Sequence, residues 1–118
     1  MTTWIRWGSA LMALGVGLGA FAAHVLKKKL SPDLFAIFEV GVRYHIYHAL
    51  ALFVVAWLST RTSSPAVSRA GWCFVSGILF FSGSLYALSL TGIRWLGAIT
   101  PIGGVIFLLG WLFLLLVR

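Results

Sequence analysis

The side chains that could do chemistry are few and gathered. His24 stands in an apolar stretch, and Glu39, Arg43, Tyr44, His45, Tyr47 and His48 follow in a second cluster. On a helix, His45 and His48 are i,i+3 neighbours on one face. Glu39 and Arg43 are i,i+4 in the order that favours an ion pair, and Tyr44 lies i,i+4 from His48, within reach of a hydrogen bond. Three chemistries fit this pattern. The histidines can be structural, satisfied by one another, by backbone carbonyls, or by Ser82, Ser84 or Tyr86. Alternatively, His24, His45 and His48 can hold a metal or haem, since imidazole suits zinc, copper and iron and three histidines leave a coordination position open. His-x-x-His is a weak motif by itself. The third possibility is proton or substrate handling by His48 with Glu39 and Arg43, because imidazole titrates near neutral pH.

Other chemistries are excluded more firmly. The acids total two, Asp33 and Glu39, and Asp33 reads as part of a helix start, so paired-carboxylate catalysis has no second member. No nucleophile lies beside a base and an orienting group. An enzyme is therefore not expected, nor a cofactor. Gly15-Val16-Gly17-Leu18-Gly19 is not a nucleotide loop, because its sixth position is Ala20 and no strand precedes it. Cys73 is the single cysteine, which rules out an intrachain disulfide and a two-cysteine metal motif. It reads as a packing residue.

The elements that must position these groups follow from charge spacing. Arg6 and Lys27 enclose residues 7–26, Arg69 and Arg94 enclose 70–93, and Arg94 and Arg118 enclose 95–117, all free of Asp, Glu, Lys and Arg. About 20 apolar residues in a helix cross a hydrocarbon core of roughly 30 Å. The chain is 61% hydrophobic and 9% charged, with a mean hydropathy of +1.03. A soluble domain carries about 25% charged residues. Inside lipid the backbone must satisfy itself as helices or a closed barrel. Barrel strands alternate apolar and polar, whereas Gly104–Val117 is apolar throughout, so helices are expected. The first uncharged stretch is also longer than the 7–15-residue apolar region of a signal peptide, so it is expected to remain as a span.

Four spans result, at about 4–26, 43–58, 70–90 and 98–117, in one transmembrane domain covering 1–118. Ser31 is a good N-cap, Pro32 suits the first helical position, and Asp33 suits the positive end of the helix dipole. A helix from Ser31 to Leu58 would be about 42 Å long, more than the hydrocarbon core. Glu39 and Arg43 argue against burying its first half. Residues 32–42 are therefore expected as an interfacial amphipathic stretch, and the span is expected to begin at Arg43. If so, the ends of the first two spans meet and His24 can approach His45 and His48. In an up-down bundle, Trp4, Trp7, Trp57, Trp72 and Trp111 fall toward one membrane face and Trp95 toward the other, as interfacial tryptophans should.

Small residues punctuate the spans. Gly15 and Gly19 share a face of the first, Gly77, Gly83 and Ser84 lie on the third, and Gly104 on the fourth. Such residues let helices approach closely, either within one bundle or across a homo-oligomer or another membrane subunit. The net charge of +7 is dispersed between spans, which fits lipid headgroups and not nucleic acid. Lys27, Lys28 and Lys29 form the one basic cluster and read as a helix-end anchor in the headgroup layer. Basic residues divide almost evenly between the two faces, so they do not set the orientation.

Gly19-Ala20-Phe21-Ala22-Ala23-His24 and Tyr44-His45-Ile46-Tyr47-His48-Ala49-Leu50-Ala51-Leu52 resemble motifs of the YgdD-like small membrane protein family, which has a eukaryotic transmembrane relative. Phe81-Ser82-Gly83-Ser84-Leu85-Tyr86 and Thr100-Pro101-Ile102-Gly103-Gly104 resemble its later motifs. The resemblance covers nearly the whole chain. It implies a four-span protein of the bacterial cytoplasmic (inner) membrane with cytoplasmic termini, and it brings no activity with it. Bacterial members often have Tyr-Gln where this chain has Tyr44-His45, so a role requiring a third histidine would not extend across the family. The expected fold is thus an all-α four-helix membrane bundle. The expected role is a non-enzymatic one, binding lipid or another membrane subunit; the alternatives are an oligomeric proton-linked carrier and a metal or haem protein.

Overall fold

The computed structural model describes residues 1–118. It is all-helical, with four helices long and apolar enough to cross a membrane: α1 (Thr2–Lys29), α2 (Pro32–Leu58), α3 (Pro65–Thr91) and α4 (Arg94–Leu115). They run up and down, antiparallel in sequence order. The boundaries follow from local chemistry. Ser31 Oγ accepts the Leu34 N–H at 3.2 Å and Pro32 opens α2. Ser64 Oγ accepts the Ala66 N–H at 3.3 Å and Pro65 opens α3. Both are side-chain caps for amides that have no intrahelical partner. Gly92 ends α3 in the left-handed region, φ 73°, and its N–H donates to the Leu88 carbonyl at 2.7 Å. A side chain there would be strained.

The molecule measures 47 × 26 × 16 Å, a flattened bundle. α2 and α3 are central, and α1 and α4 flank them. Two apolar clusters hold it together. One gathers Trp4, Leu52, Val55, Val67, Phe74, Ile78 and Phe107, and the other Ala22, Leu26, Phe38 and Val42. On α2 these clusters occupy residues 51–56 and 38–42, so His45 and His48 fall in the gap between them. Trp4 and Trp72 meet edge-to-face at 5.1 Å, and Trp7 adds to the pair at 5.9 Å from Trp72.

Two departures from the expected elements bear on the site. First, α2 is one unbroken helix. Residues 32–42 form its opening turns, with Phe38, Gly41 and Val42 buried against neighbouring helices, and no break separates them from Arg43. The charges that argued against burying this half, Glu39 and Arg43, point outward. Second, α1 and α3 are not uniform α-helices. Ala22–Leu26 and Ile78–Ser82 are wound as π-helix, an insertion that widens the turn and re-aims side chains.

Candidate functional site

A layer of hydrogen-bonded polar side chains crosses the bundle between the two apolar clusters. His45, 1% exposed, ties three helices together. Its Nε2 lies 2.7 Å from the Leu11 carbonyl of α1, and its Nδ1 lies 2.8 Å from the Tyr86 hydroxyl of α3. A carbonyl only accepts, so Nε2–H donates to it, and the neutral ring accepts at Nδ1 from Tyr86 O–H. The close approach is possible because Gly15 sits opposite. A Cβ there would press on His45 and on Ile46.

His48 uses the other tautomer. Its Nδ1–H donates to the Tyr44 backbone carbonyl at 2.7 Å, and its Nε2 accepts the Trp111 indole N–H from α4 at 3.0 Å. Indole N–H can only donate, so Nε2 carries no proton. Phe107 stacks on the imidazole face, 3.6 Å between centroids and 6° from parallel. Two further interhelical bonds lie toward the Asp33–Arg94 end: Ser82 O–H donates to the Gly41 carbonyl at 2.7 Å, and Ser84 and Thr100 hydroxyls pair at 2.7 Å between α3 and α4. No buried side-chain nitrogen or oxygen is left unpartnered. Such a layer fixes helix register, because a shift of either partner would strand a polar group in a low-dielectric interior.

The cluster expected from sequence is thus divided. His24 does not approach His45 or His48. It lies thirteen residues beyond Leu11, about 20 Å along α1, where its Nδ1–H donates to the Ala20 carbonyl at 2.9 Å. The physical reason is that α2 is continuous and α1 lies beside it, which puts Leu11, not His24, level with His45. No group of three His, Cys, Asp or Glu side chains converges on a point that could hold a metal ion. The two buried histidines bond to separate partners and not to each other. Tyr44 meets His48 through its backbone carbonyl, and its ring stacks loosely at 6.4 Å. Glu39 and Arg43 do not bond to each other. The chain's one ion pair joins Asp33 to Arg94 at 2.8 Å, at the exposed end of the bundle. Lys27, Lys28 and Lys29 are exposed there too.

Trp111, the donor to His48, was not identifiable from sequence, where its ring type suggests an interfacial anchor. Nor were the close helix contacts at Gly71, Gly103 and Gly110. Gly77 faces Phe107 and Gly19 faces Val42 within the chain, as Gly15 faces His45. At Gly103 a Cβ would strike the Phe81 backbone; at the neighbouring Gly104 it would rest in ordinary contact at 3.9 Å. Gly83 opens outward, with only the Ile78 carbonyl, 4.0 Å away, near its missing Cβ.

Comparisons with known proteins add a family. Residues 18–104 match the family described as "Protein of unknown function (DUF423)". The chain is 50% identical over 113 residues to the UPF0382 membrane protein YwdK of Bacillus subtilis, covering 95% of this chain and 92% of that protein. It is 49% identical over 116 residues to a UPF0382 membrane protein of Staphylococcus epidermidis, covering 98% and 94%. No solved structure matches.

Proposed function

We propose a non-catalytic, lipid-binding role for this chain, which belongs to the DUF423 family of proteins of unknown function and is a multi-pass protein of the bacterial cytoplasmic membrane. The observation that carries the reading is where the open space lies. The interior is filled by the two apolar clusters and by a polar layer whose members all have partners. The largest concavity, about 370 Å³, is instead a groove between α1 and α3. Trp7, Leu11, Leu14, Leu18, Val75, Ile78 and Leu79 line it, with His45 and Tyr86 at its floor and Gly83 leaving its wall open. Leu14 and Leu79 are exposed on its rim, so it faces lipid. An acyl chain gains dispersion contacts along such a wall. At the end nearer the termini, Trp7 is shared with a shallower groove that includes Thr3 and Arg6, a place for a phosphate. A helix of another membrane subunit is the competing occupant.

In this reading Lys27, Lys28 and Lys29 sit in the opposite headgroup layer, and both termini are cytoplasmic. We also identify the chain with the YgdD-like proteins, because the four motifs that carry the resemblance all fall within the family match at 18–104. The carrier reading has less support. Both ring nitrogens of His45 and of His48 are committed to fixed partners, which leaves neither ring a free lone pair to accept a transferred proton. The same commitment leaves no lone pair for a metal.

The test is native mass spectrometry of protein released from mild detergent, wild type against Gly83→Phe, which fills the groove from its open side. The expected result is stoichiometric retained lipid on the wild type, lost in the variant with helical content unchanged. A wild type that retains a second protein and no lipid would transfer the groove to a subunit. Purified protein that moves a solute or turns over a substrate in liposomes would overturn the reading.

A further inference from the structure

A third groove, about 240 Å³, lies on the outer face of α1 and α2, and its lining mixes apolar residues with two charged ones. Gly19 and Ala22 come from α1, and Glu39, Val42, Arg43 and Ile46 from α2. Glu39 and Arg43 are both exposed, and neither takes part in an ion pair. Charges on a membrane-embedded helix are costly unless something pairs them, and in this structure neither is paired.

Depth sets what the partner can be. The bundle is 47 Å long and the hydrocarbon core roughly 30 Å thick, which leaves about 8 Å of bundle in each headgroup layer. Glu39 is six residues beyond Asp33 of the exposed ion pair, about 9 Å along the helix, and so lies at the hydrocarbon boundary. Arg43 lies one turn deeper, about 6 Å, where its long stem lets the guanidinium rise toward that boundary. The order from water inward is carboxylate, guanidinium, then the apolar side chain of Ile46. A zwitterionic phospholipid has the complementary order: ammonium outermost, phosphate next, acyl chains deepest. The small side of the groove, Gly19 and Ala22, leaves room for the headgroup against the helices.

The geometry points to a binding site for a phospholipid with a primary-ammonium headgroup, phosphatidylethanolamine, with the phosphate on Arg43 and the ammonium on Glu39. The inference rests on the lipid-binding reading and names the headgroup. Guanidinium holds phosphate through paired N–H donors. The carboxylate accepts N–H bonds from a primary ammonium, and a quaternary choline has no N–H to give. An anionic headgroup would satisfy Arg43 but leave Glu39 facing added negative charge. Both side chains are exposed, so their substitution leaves the core intact.

The experiment is native mass spectrometry of the whole chain after exchange into micelles holding equal amounts of phosphatidylethanolamine, phosphatidylcholine and phosphatidylglycerol. Wild type is expected to retain phosphatidylethanolamine about tenfold over phosphatidylcholine, the worth of one charge-assisted hydrogen bond. Glu39→Leu, which leaves no acceptor, should erase that preference, and Arg43→Gln should lower retention of all three. The exchanged double variant, Glu39→Arg with Arg43→Glu, keeps the net charge and reverses the order along the membrane normal, so it should also lose the preference. An unchanged preference in the exchanged variant would overturn the inference, as would wild-type preference for phosphatidylglycerol. Retention of lipid without regard to headgroup would overturn the headgroup assignment and leave the lipid-binding reading standing. A wild type that retains no lipid, alone or as a dimer, would overturn both.

Discussion

Removing the Tyr86 hydroxyl isolates the energetic worth of the mid-membrane layer. Tyr86→Phe leaves the ring in place against Phe38, 4.9 Å away, and deletes the O–H that meets His45 Nδ1 at 2.8 Å. Side-chain hydrogen bonds between membrane helices average about 0.6 kcal/mol and reach about 1.7. Stranding a buried acceptor costs about 1–3 kcal/mol. His45 is 1% exposed, so no water or headgroup replaces the lost donor, and the value should fall where these ranges overlap, about 1.5 kcal/mol. That is roughly a tenfold change in the unfolding equilibrium. His45→Met, chosen because an unbranched side chain adapts to the space beside Gly15, strands the Tyr86 hydroxyl instead and should cost at least as much. The double variant removes both partners and should be less destabilised than the sum of the singles by about 1 kcal/mol. The assay is reversible unfolding in mixed micelles for all four proteins. Independent sites add within about 0.3–0.5 kcal/mol, so a coupling below that would refute the assignment of this bond as a tie between α2 and α3.

Four further outcomes follow from the same contacts. Gly103→Ala should destabilise by about 1–3 kcal/mol, the cost of overpacking, because its Cβ meets the Phe81 backbone; Gly104→Ala should change stability by less than about 0.5 kcal/mol, and the same unfolding assay compares them. Trp111→Phe should alter the imidazole nitrogen resonances of His48 and leave those of His45 unchanged, since only His48 bonds to the indole; nitrogen NMR on the labelled protein should also show opposite tautomers for the two rings. In a Cys73→Ser background, Ile93→Cys should react with a membrane-impermeant thiol reagent added outside cells and Ser63→Cys should not, if the termini are cytoplasmic. Gly92→Ala should cost about 1 kcal/mol or more, because φ is 73° there.

Span number, helical class and membrane residence were readable before any coordinates, for a physical reason. Lipid cannot solvate backbone amides or charges, so apolar runs of bilayer length between basic residues admit few other folds. The start of α2 was readable for an equally local reason, since Ser31 and Pro32 act on the amides next to them. The partners of His45 and His48 were not. They depend on which residue of α1 lies level with which residue of α2, and on α4 bringing Trp111 inward, and neither is encoded in the spacing of either residue. Charge misled for the same reason. Glu39 and Arg43 argued against burying the first half of α2, but a helix can keep its charges by turning them to its outer face, and whether it does so depends on what packs against the other face. Packing of Phe38, Gly41 and Val42 against α1 and α3 settled that. It also separated His24 from His45 and left Glu39 and Arg43 side by side and unpaired at the surface.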